Sequence, residues 1–446
     1  MRSMKIAVVG SGVSGLSCAW LLSHRHDVCL FESDSRLGGH SNTVDCREYG
    51  RNIAIDTGFI VYNRQAYPNL VALLDHLDVP TARTNMGFGV SFDGGRYEYA
   101  GSGPLQLLGG LANLVDGGHW RMLNDMRRFF RTGLAQSGSL ADTIGIAAFL
   151  EQHGYSDDFL QRHLLPMAAA IWSSAPGDMR NYPAQAFLRF FDNHGLLKFT
   201  NRPEWRTVIG GSREYVRRLS AGNRLTLRLA TPVTRIERDT TGVTIISRGG
   251  HRDSFDHAVI ATHADQALAM LANPSPAERS CLAAFRYSRN AAVLHRDHSF
   301  MPRRRRLWSS WNYVGTGPNG GCAVTYWMNN LQPLAAQNNY FVTLNPHVAP
   351  AADKTEAAFT YDHPIFDAVA LGQQRRLWSL QGHQRTWFCG AHFGSGFHED
   401  GLQAGLAVAE QLGGVRRPWR VADASGRIQV ASPAGGGNNR FREAAE

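Results

Sequence analysis

Three glycines and one acid at fixed spacing carry the first chemistry in this chain. Lys5-Ile-Ala-Val-Val-Gly10-Ser-Gly12-Val-Ser14-Gly15 is an apolar run, a glycine cluster and the start of a helical pattern; Val28-Cys-Leu-Phe-Glu32 is a second apolar run closed by a carboxylate. This is the order of a βαβ unit that grips a dinucleotide. Gly10 permits the tight turn, Gly12 lets backbone approach a pyrophosphate, and Gly15 brings helix and strand close. The helix N-terminus then offers free N–H groups to the phosphate charge. Glu32, at the end of the second strand, accepts hydrogen bonds from ribose hydroxyls. A glycine-rich turn in an ordinary α/β unit is the competing reading. The conjunction of strand, helix, strand and acid goes against it.

Further motifs follow at intervals along the chain. Glu32-x-x-x-Arg36-x-Gly38-Gly39-His40 extends the first unit, and Asp56-Thr57-Gly58-Phe59 ends a later strand pattern. Gly210-Gly211-Ser212, Thr231-Pro-Val233-Thr-Arg-Ile and Ala261-Thr262-His263 come next, and Phe388-Cys-Gly390-Ala391-His392 runs into Gly394-Ser-Gly396-Phe397-His398-Glu399-Asp400-Gly401. Together these resemble the amine oxidase and phytoene desaturase superfamily of FAD flavoproteins. The form is nearest to a bacterial branch labelled only as NAD/FAD-binding and amine oxidase-like, and the resemblance covers residues 5 to about 413.

The resemblance implies non-covalent FAD. Arg36 would neutralise phosphate charge, with Gly38 and Gly39 giving close backbone approach; an ordinary surface arginine is the plainer reading of Arg36. His40 stands where many members have another arginine. Thr57, Gly58 and Phe59 would reach the isoalloxazine ring, the backbone of Val233 the adenine, and Ala261 the crossing to a substrate domain. Gly390 and Ala391 would support the ribitol. Phe397, His398 and Glu399 begin a helix aimed at the flavin edge where negative charge appears on reduction. Ser14 and Ser33, beside the glycines and Glu32, complete the expected set. Glu399 and Asp400 also read as the cap and first turn of that helix, and His392 and His398 as packing or capping residues. Cys389 lies inside a strand, which argues against a thioether to the flavin.

The implied chemistry is removal of a hydride from a C–H bond of a hydrophobic substrate to flavin N5, of the amine oxidase or the lipid/fatty-acyl desaturase type. The alternatives are a redox-neutral flavin-dependent isomerase and a non-catalytic FAD-containing binding protein. The substrate would be a small hydrophobic molecule or an amine, and the electron acceptor O2 or a redox partner. No HExxH, paired Cys/His spacing or supported Ser-His-Asp set is present, and no metal is expected. Amine oxidases of this family keep a lysine on a substrate-domain strand, and the comparable strand here, Ser288 to His295, has none. His295, Trp311 and His398 are the remaining catalytic candidates, although a strand-end histidine beside Arg296 and Asp297 is more often structural. Trp308, Trp311, Tyr326 and Trp327 could cage an amine; packing is the preferred reading of all four.

The elements that must position these groups follow from periodicity and composition. The chain has 446 residues, 43% hydrophobic and 19% charged, as in a globular α/β protein of two or three domains. A discontinuous Rossmann-like FAD domain is expected over 1–60, 205–265 and 384–415. A β-rich substrate domain takes 61–204 and 266–383, with an all-helical insertion at about 104–195. Residues 416–446, glycine-rich and poor in apolar side chains, read as a disordered tail. Hairpins are expected at Thr43–Asp56 and Phe88–Tyr99, helices at Tyr67–Leu77, Trp120–Leu134, from Ser156 to Ile171 and at Gly401–Leu412, and short strands between Leu225 and Ala261.

The net charge of +9 comes almost wholly from arginine, since Lys5, Lys198 and Lys354 are the only lysines. No nucleic-acid signature accompanies it. Arg303 to Arg306 read as a solvated loop, with a lipid-headgroup contact as the alternative. The insertion helix bearing Trp120, Met122, Phe129 and Phe130 among arginines admits the same alternative, with packing against its neighbours preferred. Six cysteines without a CxxC pair and a first strand at Lys5 point to a cytoplasmic protein with no leader, with possible peripheral contact at the inner membrane face.

Overall fold

In a computed structural model, the described residues are 2–137, 144–172, 176–198, 201–222, 224–315 and 322–430. Five strands form a parallel sheet in the order Leu225–Arg228, Asp27–Phe31, Lys5–Val9, His257–Ile260, Thr386–Phe388. Its central strands are buried on both faces, which is why they read as unbroken apolar runs. The helix Val13–Ser23 covers one face and packs along the last long helix, His398–Gly413. That packing needs Gly405, where a Cβ would stand 2.1 Å from the Ser14 carbonyl oxygen.

The second large sheet has seven strands in the order Thr355–Ile365, Arg286–His295, Phe341–Leu344, Cys322–Trp327, Trp311–Gly315, Phe88–Phe92, Tyr97–Ala100. Every pairing is antiparallel except Trp311–Gly315 with Phe88–Phe92. The expected hairpins form. The first turns at Tyr49 and Gly50, both at positive φ, and the second at Asp93-Gly94-Gly95.

Residues 104–193 are helical wherever described, apart from short connections. The longest helix, Gly117–Ser137, buries Met122, Met126 and Phe129 against its neighbours, so it packs as an insertion helix, with Trp120 near its start and Leu134 near its end left exposed. Ser156 caps the next long stretch by accepting from Phe159 N at 3.3 Å. That stretch continues through a π-turn at Leu160–Leu164 to Trp172.

Three expectations need correction. The last helix starts at His398, three residues earlier than its apolar pattern suggests, because Asp400 accepts from Phe397 N at 2.8 Å and closes the first turn. The strand Thr355–Ile365 was not anticipated, although Phe359, Tyr361 and His363 alternate along it. The tail is not disordered up to Val430. Arg417 binds Glu410 and Asn69, Trp419 stacks on Trp20 with ring centroids 6.0 Å apart, and Arg427 Nε reaches Asp400 at 2.6 Å. Three anchoring side chains suffice to fix a segment that composition alone describes as loose. The expected disorder over 431–446 lies outside the described residues.

Candidate functional site

The glycine cluster sits where the parallel sheet ends. Gly10 has φ +100°, and a Cβ there would meet the Ala261 carbonyl oxygen at 2.9 Å. At Gly15 a Cβ would lie 1.9 Å from the Gly10 carbonyl oxygen, a contact no side chain survives. Gly12 is the opposite case, with nothing within 4 Å of the same probe position. Gly12 also precedes the helix Val13–Ser23, whose first turn carries no side-chain cap and no acid. Uncapped N–H groups behind an open glycine make a seat for a phosphate anion.

Around this seat the other motifs converge. Gly38 donates its N–H to Ser11 O at 3.1 Å, and the Cβ position of Gly39 lies 3.2 Å from Gly12 Cα. Glu32 Oε2 accepts from Ser11 N at 2.9 Å and Ser11 Oγ at 2.5 Å, while Oε1 accepts from Ser33 Oγ and Asp34 N. Thr231 N donates to Glu32 O at 2.8 Å, which lays the loop before Val233 alongside Glu32. Arg36 lies at the same edge and donates to Leu37 O at 3.5 Å.

From here a cavity of about 740 Å³ runs into the antiparallel sheet and the helical insertion. Gly12, Ser14, His40, Gly58, Phe59, Ala261, Gly390, Ala391, Phe397 and His398 form one wall. Phe59 stacks on His398 at 3.7 Å and 12°, and His398 Nε2 contacts Tyr215 Oη at 2.7 Å and Ser41 Oγ at 3.0 Å. Thr57 lies just behind, its hydroxyl 2.8 Å from Tyr361 Oη. Asp56 closes the strand before it, accepting from Thr43 Oγ1, Ser212 N, Ser212 Oγ and Gln332 Nε2. Gly210-Gly211-Ser212 thus serves to bring Ser212 onto this buried carboxylate, which burial pushes up to about 6.

The opposite wall is aromatic and histidine-rich. Tyr99, Phe130, Trp172, Phe190, Trp205, Trp311 and Tyr326 line it, with Trp311 edge-on to Tyr326 at 5.3 Å. Trp308 and Trp327 do not reach the cavity. They pack on each other at 5.5 Å, with their indole N–H groups on Pro302 O and Asn339. The packing reading therefore holds for that pair, while Trp311 and Tyr326 face the chamber.

Seven histidines face the cavity, and desolvation keeps their imidazoles neutral. His398, His392 and His194 are pushed down to about 3, His363 and His163 to about 4, and His40 and His263 are also lowered. Nε2 of His40, His163, His194 and His392 is buried without a partner among the described residues. These are ring nitrogens left for a guest to satisfy. Arg202 and Asp362 are the formally charged groups among the described lining residues.

Two expected site residues lie elsewhere. Glu399 is fully buried but turned away from the cavity, accepting from Asn69 N, Asn69 Nδ2, Leu70 N and Gln403 Nε2. It caps the helix Pro68–His76, a role a sequence pattern cannot show because the two segments are 330 residues apart. His295 is buried in the antiparallel sheet, with Nε2 on Thr343 Oγ1 at 2.7 Å and Nδ1 accepting from Asp297 N at 3.0 Å. Both ring nitrogens are engaged and neither faces the cavity, so the catalytic reading of His295 is withdrawn. His163 and His363 carried no motif in the sequence, while His194 and His263 stood in family motifs with no role of their own. The sequence signal for His363 is its place among the alternating residues of its strand.

A glycine seat at the end of a parallel sheet, an antiparallel sheet opposite and one cavity between them define a two-domain dinucleotide-binding flavoprotein. The chain belongs to the flavin-containing amine oxidoreductases, whose family model matches residues 13–295. Its cofactor is accordingly FAD, and the open Gly12 seat and unsatisfied His40 fit such a guest. AofH of Mycobacterium tuberculosis, named for flavin-containing monoamine oxidase, is 26% identical over 264 residues. The match takes in 56% of this chain and 55% of AofH, so the chain spans about half the length of that relative. Cyclohexylamine oxidase from Brevibacterium oxydans superposes with a TM-score of 0.66 at 17% identity, covering 92% of this chain and all of the other (100%). The CLA-producing fatty acid isomerase from P. acnes gives 0.63 at 14%, covering 92% and 98%. Both share the fold.

Proposed function

We propose that the protein is an FAD-dependent oxidoreductase that removes a hydride from a C–H bond of an apolar substrate held in the cavity. The single observation that carries this is the continuity of the chamber: its walls run without a break from the glycine seat to Trp311 and Tyr326. FAD, when bound, supplies the hydride-accepting chemistry. In this reading Gly10, Gly12, Gly15, Gly38 and Gly39 cradle the pyrophosphate with Arg36 beside it, Glu32 and Ser33 hold the ribose edge, and Val233 borders the adenine. Ser14, His40, Thr57, Gly58, Phe59, Ala261, Gly390, Ala391, Phe397 and His398 flank the ring system and its ribitol.

The chain's own contribution is to orient and to exclude water. Trp311, Tyr326, Phe190 and Trp172 give the substrate an apolar wall, and neutral histidines offer hydrogen bonds without charge. No lysine lines the cavity among the described residues, so proton handling falls to imidazoles or to solvent at the mouth. An amine is the substrate that the names of AofH and cyclohexylamine oxidase suggest, with O2 as acceptor. A second reading, an apolar chain bearing an anionic head, is favoured by Arg202. That guanidinium lines the cavity and has no acidic partner among the described residues, its Nε donating to Lys198 O at 2.8 Å.

The test is anaerobic titration of the purified yellow protein with alkyl amines and with fatty acids of matched length. Bleaching by one series names the class. A flavin that no series bleaches, in a protein that turns over only after chemical reduction, would refute oxidation and leave the isomerase reading.

A further inference from the structure

Among the described residues the large apolar side chains left exposed gather most densely in one segment. Leu105, Leu111 and Val115 are 80%, 83% and 88% exposed, and Leu114 and Trp120 join them within one short segment. The segment consists of two short helices, Pro104–Leu108 and Leu111–Leu114, followed by the start of the long insertion helix. Trp120 Nε1 donates to Leu114 O at 2.9 Å, which ties the last of these side chains to the others. An exposed apolar cluster of this kind marks an interaction surface.

Two neighbours give the patch its character. The first is basic. Arg306 Nη2 donates to Gly109 O at 3.0 Å, between the two short helices, and Arg304 Nη1 holds Gly95 O and Glu98. Arg303, Arg305 and Arg306 are exposed on this one loop, which Arg306 ties to Gly109 of the patch. The second neighbour is the cavity mouth. Gly101, Ser102 and Pro104 are at once exposed and part of the cavity lining, as is Arg202. The helix Pro104–Leu108 therefore turns Leu107 towards the chamber and Leu105 towards solvent.

We propose that this face docks on an anionic lipid surface, with Leu105, Leu111, Val115 and Trp120 entering the interface and Arg303, Arg305 and Arg306 at headgroup level, so that the chamber opens onto the bilayer. An apolar patch rimmed by arginine matches an interfacial anchor, in which apolar burial and attraction to anionic headgroups add. A second copy of the chain is the poorer occupant, because an isologous contact would bring two arginine rims of like charge together. Docking rests on the patch alone; delivery of an apolar substrate rests on the functional reading above.

Flotation of the holoprotein with vesicles tests it directly. Phosphatidylglycerol-containing vesicles should carry the protein upward and pure phosphatidylcholine vesicles should not, with binding weakened by salt. The double variant Leu111→Ser/Val115→Ser, altered only at exposed positions, should lower partitioning by about tenfold or more with its flavin spectrum unchanged. Arg303→Glu/Arg305→Glu should abolish the preference for anionic lipid. Wild-type protein that stays unbound with anionic vesicles overturns the proposal. So does a wild-type dimer that the serine variant converts to monomer without any vesicle binding. Failure of the functional reading would show elsewhere, as a vesicle-bound flavin that no apolar substrate bleaches.

Discussion

The two sheets that meet at the cavity work in opposite ways. The parallel sheet presents backbone: strand ends, glycines and uncapped N–H groups, with side chains mostly removed from the surface that a dinucleotide would touch. The antiparallel sheet and the helices beside it present side chains, with aromatic rings and neutral imidazoles filling the wall. Backbone recognition tolerates almost no substitution, because the absent Cβ is itself the contact surface. Side-chain recognition is tuned one residue at a time.

The sharpest way to break the backbone half is Gly15→Val. With a Cβ 1.9 Å from a backbone oxygen, the first helix cannot dock, and the purified variant should retain almost no flavin by absorbance. Near-stoichiometric FAD in a folded Gly15→Val protein would sink the assignment. Acid should act next, on both halves. His392, His398 and His194 titrate near 3, and His163 and His363 near 4, in the folded state. The unfolded chain takes up these protons below about 6.5, so stability is full above that pH and falls as pH drops towards 4. Each histidine contributes up to about 1.4 kcal/mol per pH unit. Asp56 works the other way, since its raised value favours the folded state as pH falls through 6. Burial raises the Asp400 carboxyl as well, but two carboxyls do not offset five imidazoles, and Tm should drop clearly between pH 7 and pH 5.5. A flat profile would show the histidines to be solvated.

Smaller substitutions separate the two halves. Glu399→Ala leaves buried N–H donors of Asn69 and Leu70 unpaired and should cost about 2–3 kcal/mol of stability in urea unfolding. Its FAD affinity, measured by flavin fluorescence, should stay at the wild-type value, since the carboxylate points away from the cavity. Glu32→Ala should do the reverse, weakening FAD retention by about 1.5–3 kcal/mol with a modest loss of stability. Trp311→Ala should leave both flavin content and fold in place and raise KM several-fold, while Trp308→Ala should lower Tm without touching KM. Equal KM values for the two tryptophan variants would remove Trp311 from the substrate wall.

The same division explains what could be read from residue order. The glycine seat, the Glu32 strand end and the hairpins at Thr43–Asp56 and Phe88–Tyr99 are local, and each depends on residues within a few positions of one another. Glu399 and His295 misled because their partners, Asn69 and Thr343, are distant, and nothing in a strand-end histidine announces a threonine across the sheet. The histidine wall stayed hidden for the same reason: His163, His263 and His363 lie on three separate elements, and only the fold turns them to one space. The tail shows a further limit, since composition averages over a segment while Arg417, Trp419 and Arg427 act singly.

One feature of the parallel sheet bears on how the molecule comes into being. The first strand, Lys5–Val9, is paired with His257–Ile260, and that strand with Thr386–Phe388. The segments at Gly390 and His398 that complete the wall opposite Gly12 follow later still. During synthesis the glycine turn at Gly10 leaves the ribosome well before its counterparts at Gly390 and His398, and waits for them. Pairings so remote in sequence close slowly. The seat for FAD is thus complete only once the strand Thr386–Phe388 and the segments after it are in place.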